Sequence, residues 1–251
     1  MSLVFNNTST SSGTNGIIQI LEKNCGFNRG DISGNTERMQ NFTSDINLAL
    51  DDVWGFMFPL GGTWQIDDSN FTDYPIITTN IVSGQRDYSF TTDGSGNTIL
   101  DIYKVAIKKS SSGDYEEIFP VDQQSEAYMS DFFGSATQPS GIPTRYDKTG
   151  NAIFFDFVPN YNATAGLKIY INREASYFAV SDTTKKPGFV GLFHEYLALR
   201  PAYQYAYRNN LSNTASLEKE MLRMQMAIKE YYGSREKDVV NRMTPNKENT
   251  R

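Results

Sequence analysis

Few residues of this chain could do covalent or acid–base chemistry, and they stand apart from one another. The single histidine, His194, opens "HEYLA", which lacks the second imidazole of an HExxH zinc motif. One imidazole without a partnered nucleophile cannot form a triad, so His194 reads as a boundary residue of an apolar helix. The single cysteine, Cys25, has Lys23 nearby as a source of thiolate stabilisation, but its setting reads as incidental. Asp67, Asp68 and Asp73 could approach a divalent ion, yet they lack EF-hand spacing and its closing Glu. Asp51-Asp52 falls on the polar side of its helix. "DGSGN", Asp93 to Asn97, follows a strand but lacks the Lys-Ser/Thr of a phosphate loop, and reads as a hairpin turn. Neither an RNP signature nor a zinc knuckle is present. No metal, cofactor or catalytic set is therefore assigned, and the expectation is a non-catalytic protein that works through its surfaces.

Composition supports that direction. The 251 residues are 39% hydrophobic, with 15 Tyr and 16 Phe, enough for a substantial core and for aromatic interfaces. Net charge is −6, which argues against an open basic surface for duplex DNA. The charge is uneven. Residues 1–75 carry three Lys/Arg against nine Asp/Glu, residues 76–180 eight against twelve, and residues 181–251 twelve against eight. A basic C-terminal section on an acidic body suits docking on an acidic partner or on a neighbouring copy. One cysteine excludes an intramolecular disulfide. The N-terminus lacks the features of a signal peptide, and no apolar run approaches the roughly 18 residues of a membrane span.

The elements follow from periodicity. Residues 1–15 are Ser/Thr/Asn/Gly-rich and read as a flexible arm; residues 17–24 suit a short helix. From Asn35 or Thr36 a helix places Met39, Phe42, Ile46, Ala49, Leu50, Val53, Trp54 and Met57 on one face until Pro59. An irregular link to residue 74 carries Trp64. From residue 75 to 182 the period is that of strands: about seven, each bounded by turn residues, which predicts an antiparallel sandwich or barrel. A short helix is expected within "QQSEAYMSDFFGSATQPS". Pro187 to Asn210 returns to helix, with Pro201 kinking or dividing it. A last helix, about Thr214 to Tyr232, carries Leu217, Met221, Met224, Ile228 and Tyr231 at coiled-coil spacing. Residues 237–251 form a polar tail. The predicted class is α+β: a bundle of N- and C-terminal helices, residues 183–236 packing on 36–58, with the β-domain inserted between them.

In order along the chain, "INLALDDVW", "TWQIDDSNFTDYPIITTNIVSGQRDYSF", "IYKVAIKK", "DYEEIFPVD", "GIPTRYDKTGNAIFFDFVPNYNATAGLKIYINREASYF" and "PGFVGLFHEYLALRPAYQYA" resemble the head–tail adaptor (connector) proteins of tailed bacteriophages. The resemblance spans residues 36–235 and lies in the succession of elements rather than in one motif. It implies a structural virion protein at the neck, assembled in the host bacterial cytoplasm. Such a protein forms a ring, dodecameric in the virion, beneath the portal. It extends the DNA channel without sequence-specific binding and offers a platform to the tail or a second neck ring. By the same resemblance Lys237, Val239, Val240, Arg242 and Met243 become candidate portal contacts. Two other readings stand beside it: another neck or tail component such as a glycan-binding module, which needs exposed Trp or Tyr, and a hydrolase using Glu195 or an Asp pair.

Overall fold

The computed structural model describes residues 2–9, 13–60, 76–93, 96–121 and 139–235. Its class is mixed α+β, with four helices and one large, mostly antiparallel sheet among the described residues. The chain divides into two compact units, one made of residues 1–62 and 177–251, the other of residues 63–176.

The first unit is helical: α1 (Ile17–Cys25), α2 (Thr36–Met57), α3 (Tyr196–Arg208) and α4 (Thr214–Arg235). Helix α2 starts where the Asn35 side chain accepts the Arg38 N–H at 3.0 Å, satisfying one orphan donor. The predicted stripe from Met39 to Met57 is buried throughout. It packs on α3 and α4, while α1 packs on α3. On α4, Leu217, Met224, Ile228 and Tyr232 are buried. Tyr232 therefore takes the seam position expected for Tyr231, which lies edge-on to Phe193 at 5.4 Å.

Two expectations for this unit are corrected, and one of the two outcomes open at Pro201 is removed. Residues 2–9 are not a free arm. Phe5 is fully buried and stacks on Phe178 with centroids 4.5 Å apart. Its N–H bonds to Lys185 O at 2.8 Å, and Ile17 N–H bonds to Val4 O at 2.9 Å. Polar composition hid one aromatic anchor. The helix expected from Pro187 starts only at Tyr196, after a 3₁₀ turn over Gly191–Phe193. A Cβ on Gly191 would lie 2.9 Å from Ser2 Cα, so this turn is shaped by the N-terminal strap beside it. Pro201 lies inside α3 without dividing it, leaving the Leu197 carbonyl without its usual helical donor.

The second unit is the sheet: β1 (Ile76–Ile81), β2 (Asp87–Ser89), β3 (Ile99–Lys108), β4 (Tyr115–Pro120), β6 (Arg145–Thr149), β7 (Ala152–Phe155) and β9 (Ala163–Arg173), with a separate pair β5 (Ser140–Gly141) and β8 (Val158–Pro159). The large sheet has the order β1-β9-β3-β4-β6-β7-β2. Its two edges, β1 and β2, are consecutive in sequence. Residues 82–86 span at most about 20 Å, whereas seven flat strands would separate their edges by about 29 Å. The sheet therefore curls. Val82 N–H donates to Tyr88 Oη at 3.0 Å, tying the two edges.

Register explains the core. Val105 faces Ile169 and Ile107 faces Leu167 across β3–β9, and Ile77 and Thr79 face the same β9 residues from the other side. A register shift between Ile102 and Lys104 lets Ile102 and Val105 share the inner face. A second shift follows Thr79 on β1. Opposite it, Ala165 has φ 47°, and its N–H donates to Asn80 Oδ1 at 2.8 Å. At Gly166 a Cβ would meet Ala163 Cβ at 2.7 Å, so only glycine fits.

The antiparallel expectation is corrected at two places: β4 pairs with β6, and β5 with β8, in parallel. Twenty-four residues, 121–144, separate β4 from β6. A connection of that length can return the chain in the same direction, which a hairpin cannot.

Candidate functional site

The titratable residues that sequence singles out are held in structural roles. His194 is 1% exposed, not a boundary residue, and lies in the turn before α3. Its Nδ1 accepts the Leu3 N–H at 3.0 Å. The proton is thus on Nε2, which donates to Phe189 O at 2.8 Å. Burial is the main cause that lowers its pKa, reinforced by the positive N-terminus and Lys186; the carbonyls of Phe189 and Leu3, the latter 3.3 Å from Nδ1, oppose it by favouring a protonated ring. The imidazole clips the N-terminal strap to the turn and is closed to solvent.

Cys25 is buried, and burial pushes its thiol up to about 12, so it carries no thiolate. Asp52 accepts Arg200 Nε–H at 2.8 Å and Asp51 accepts the Tyr177 hydroxyl at 2.7 Å; both tie α2 to later parts of the chain. Glu195 is exposed at the start of α3 and its side chain caps nothing. Asp93 holds its turn by accepting from Asn97 N–H at 2.8 Å and from Asn97 Nδ2 at 2.9 Å, and it pairs with Arg173. Among the described residues no three His, Cys, Asp or Glu side chains gather as a metal site. Asp67, Asp68, Asp73 and Trp64 lie outside the described residues, as do the candidate portal contacts Lys237, Val239, Val240, Arg242 and Met243 and the helix expected in 123–140 up to residue 138.

Two buried carboxylates, Glu22 and Asp156, escaped the sequence reading. Glu22 is 1% exposed, and its Oε1 accepts the N–H groups of Gly30 and Ile32, each at 3.0 Å. It organises the Gly-rich loop between α1 and α2. The only sequence signal was a Glu on the apolar side of a short helix.

On the sheet, cations are matched with carboxylates. Lys104 pairs with Glu117 at 2.6 Å and Lys109 pairs with Glu116. Lys168 and Lys108 lie over the Tyr115 ring at 3.9 and 5.0 Å. Among the described residues such a balanced surface offers no ladder of free cations to phosphates.

The helical unit also exposes apolar side chains. Leu48, Tyr177 and Val180 are 50%, 41% and 40% exposed and line an open groove of about 460 Å³ between α2 and residues 177–180. On α4, Leu222 and Met226 are 43% and 68% exposed. Trp54 is 6% exposed in the helical interior and gives no platform for a sugar ring. No helix is long and apolar enough to cross a membrane among the described residues. No protein-family model matches the chain, and no curated protein matches it.

Proposed function

We propose that this chain is a structural virion protein of a tailed bacteriophage, a head–tail adaptor. In this reading its copies form a ring that docks beneath the portal, extends the DNA channel and receives the tail. The helices act as a bundle carrying an inserted barrel-like β-domain, and the C-terminal tail with Lys237, Val239, Val240, Arg242 and Met243 reaches the portal.

The observation that carries the reading is the direction in which the helical unit spends its side chains. Its histidine and Asp52 are used as clips and its cysteine is buried, while Leu48, Leu222 and Met226 are left outward. Outward apolar side chains on rigid helices are the means of a protein that fits against other proteins. The ordered resemblance over residues 36–235 points the same way, and the matched charges of the sheet suit a surface passed by DNA without holding it.

The test is co-sedimentation of the full chain with purified portal rings of the same virus, with native mass measured before and after mixing. Stoichiometric addition to the ring is expected, together with its loss when residues 237–251 are removed. A chain that stays free in the presence of portal rings ends this reading.

A further inference from the structure

Helix α4 has two seams. The first, through Leu217, Met224, Ile228 and Tyr232, is buried in its own unit. The second runs along the opposite side. Ala215, Lys219, Leu222, Met226, Lys229 and Gly233 recur in steps of four and three, the spacing by which one helix lies along another. Its centre is Leu222 and Met226, which project into solvent; Lys219 lies one turn before them, while Lys229, one turn after, sits over the Phe56 ring of its own α2 at 4.8 Å.

Helix α2 has a matching hollow. The groove beside Leu48 is walled by Ser44, Asn47, Asp51, Tyr177 and Val180, and Asp51 is the one charged residue that lines it. Asp51 accepts the Tyr177 hydroxyl, which fixes that wall. The groove exposes more apolar than polar surface and carries one negative charge, Asp51. The α4 stripe is apolar at its centre, with Lys219 as the cation left outward at one end.

A chain cannot join its own stripe to its own groove. Helices α2 and α4 pack on each other inside the unit, and Leu48 and Met226 lie on their solvent sides. We propose that the groove beside Leu48 seats the outer stripe of α4, Leu222 and Met226, from a second copy of this chain. Ridges of one helix fill the groove of the other, and Lys219 comes to Asp51. The two faces differ, so the contact is head-to-tail, and each copy keeps one groove and one stripe free for the next. This inference rests on the adaptor reading, to which it gives the contact between neighbouring subunits.

The experiment uses the full chain at its highest soluble concentration in analytical ultracentrifugation. Leu48→Glu removes the groove and leaves the stripe; L222E/M226E removes the stripe and leaves the groove. All three positions are well exposed, and circular dichroism checks that both variants stay folded. Wild type is expected to self-associate, and each variant alone to lose that association by about tenfold or more, the effect of losing a central contact. An equimolar mixture of the two variants is expected to form a one-to-one pair and nothing larger, because only one intact groove–stripe contact can be made. A wild-type chain that stays monomeric overturns the proposal. So does either variant assembling like wild type, or a mixture that forms no pair. Portal binding is read separately, so a failure here leaves the adaptor reading standing, and a failure there leaves this contact standing.

Discussion

His194 Nδ1 accepts the backbone N–H of Leu3 at 3.0 Å, across 191 residues of sequence. The contact requires a neutral ring, because a protonated Nδ1 cannot accept. Burial holds the folded pKa below the ordinary value of about 6.5. The unfolded chain then takes up its proton first as pH falls. Stability from this group is complete above about pH 6.5, is lost as pH falls toward the folded pKa, and loses nothing further below it. His194→Gln removes the titration. Urea unfolding from pH 7.5 to 5 should show a flatter pH dependence for the variant. At the upper end it should be about 1–3 kcal/mol less stable, since Leu3 N–H or Phe189 O loses a buried partner. Parallel curves for the two proteins would contradict the clip.

The strap that His194 holds is anchored by Phe5. Its ring is fully buried and stacked on Phe178 with an interplanar angle of 10°. Phe5→Ala should cost about 3–5 kcal/mol of stability. Hydrogen exchange should rise at Ile17 and Ile18, whose N–H groups bond to Val4 O and Phe5 O. A flexible arm would give less than about 0.5 kcal/mol, the usual limit for surface changes.

Cys25 tests the same interior by chemistry. With its thiol pushed up to about 12 and its side chain buried, it should resist alkylation in the native protein at mildly alkaline pH. In denaturant it should react at the rate of an ordinary thiol. Native labelling as fast as denatured labelling would mean that α1 opens readily.

The interior helix faces were legible because burial on one side imposes a 3.6-residue period, and the stripe from Met39 to Met57 shows it without interruption. Strands were legible from β-branched runs bounded by turns. Strand order was not. The pairing of β4 with β6 and the meeting of β1 with β2 are set by contacts distant in sequence, which local pattern does not encode. Phe5 was hidden because one aromatic among Asn, Thr and Ser changes composition little while burial of its ring decides the conformation. Glu22 was hidden because a buried carboxylate is recognised by its donors, Gly30 and Ile32 N–H, and a sequence shows no donors. The groove beside Leu48 was missed for a related reason: the wall opposite α2 comes from residues 177–180, far along the chain.

The hairpin of β6 and β7 contains no residue suited to catalysis, yet a buried and well-satisfied carboxylate follows it. Asp156 is 7% exposed. One oxygen accepts Thr144 and Phe157 N–H at 2.9 Å each, and the other accepts the Thr144 hydroxyl at 2.5 Å. Arg86, also buried, donates from Nε to Phe155 O at 2.7 Å, and its charge interacts with Asp156. The group therefore fastens the strand entering β6 to the strand leaving β7. Asp156→Ala leaves the Thr144 and Phe157 N–H groups and the Thr144 hydroxyl without their acceptor. The expected loss is about 2–4 kcal/mol, since a buried donor left unsatisfied costs about 1–3 kcal/mol. Thr144→Val removes one hydroxyl bond and keeps the carboxylate, so about 1 kcal/mol is expected. In the double variant the Thr144 change should cost almost nothing more, because its partner is already gone. Denaturant unfolding of the four proteins closes the cycle, and additive losses would show that Asp156 and Thr144 act independently.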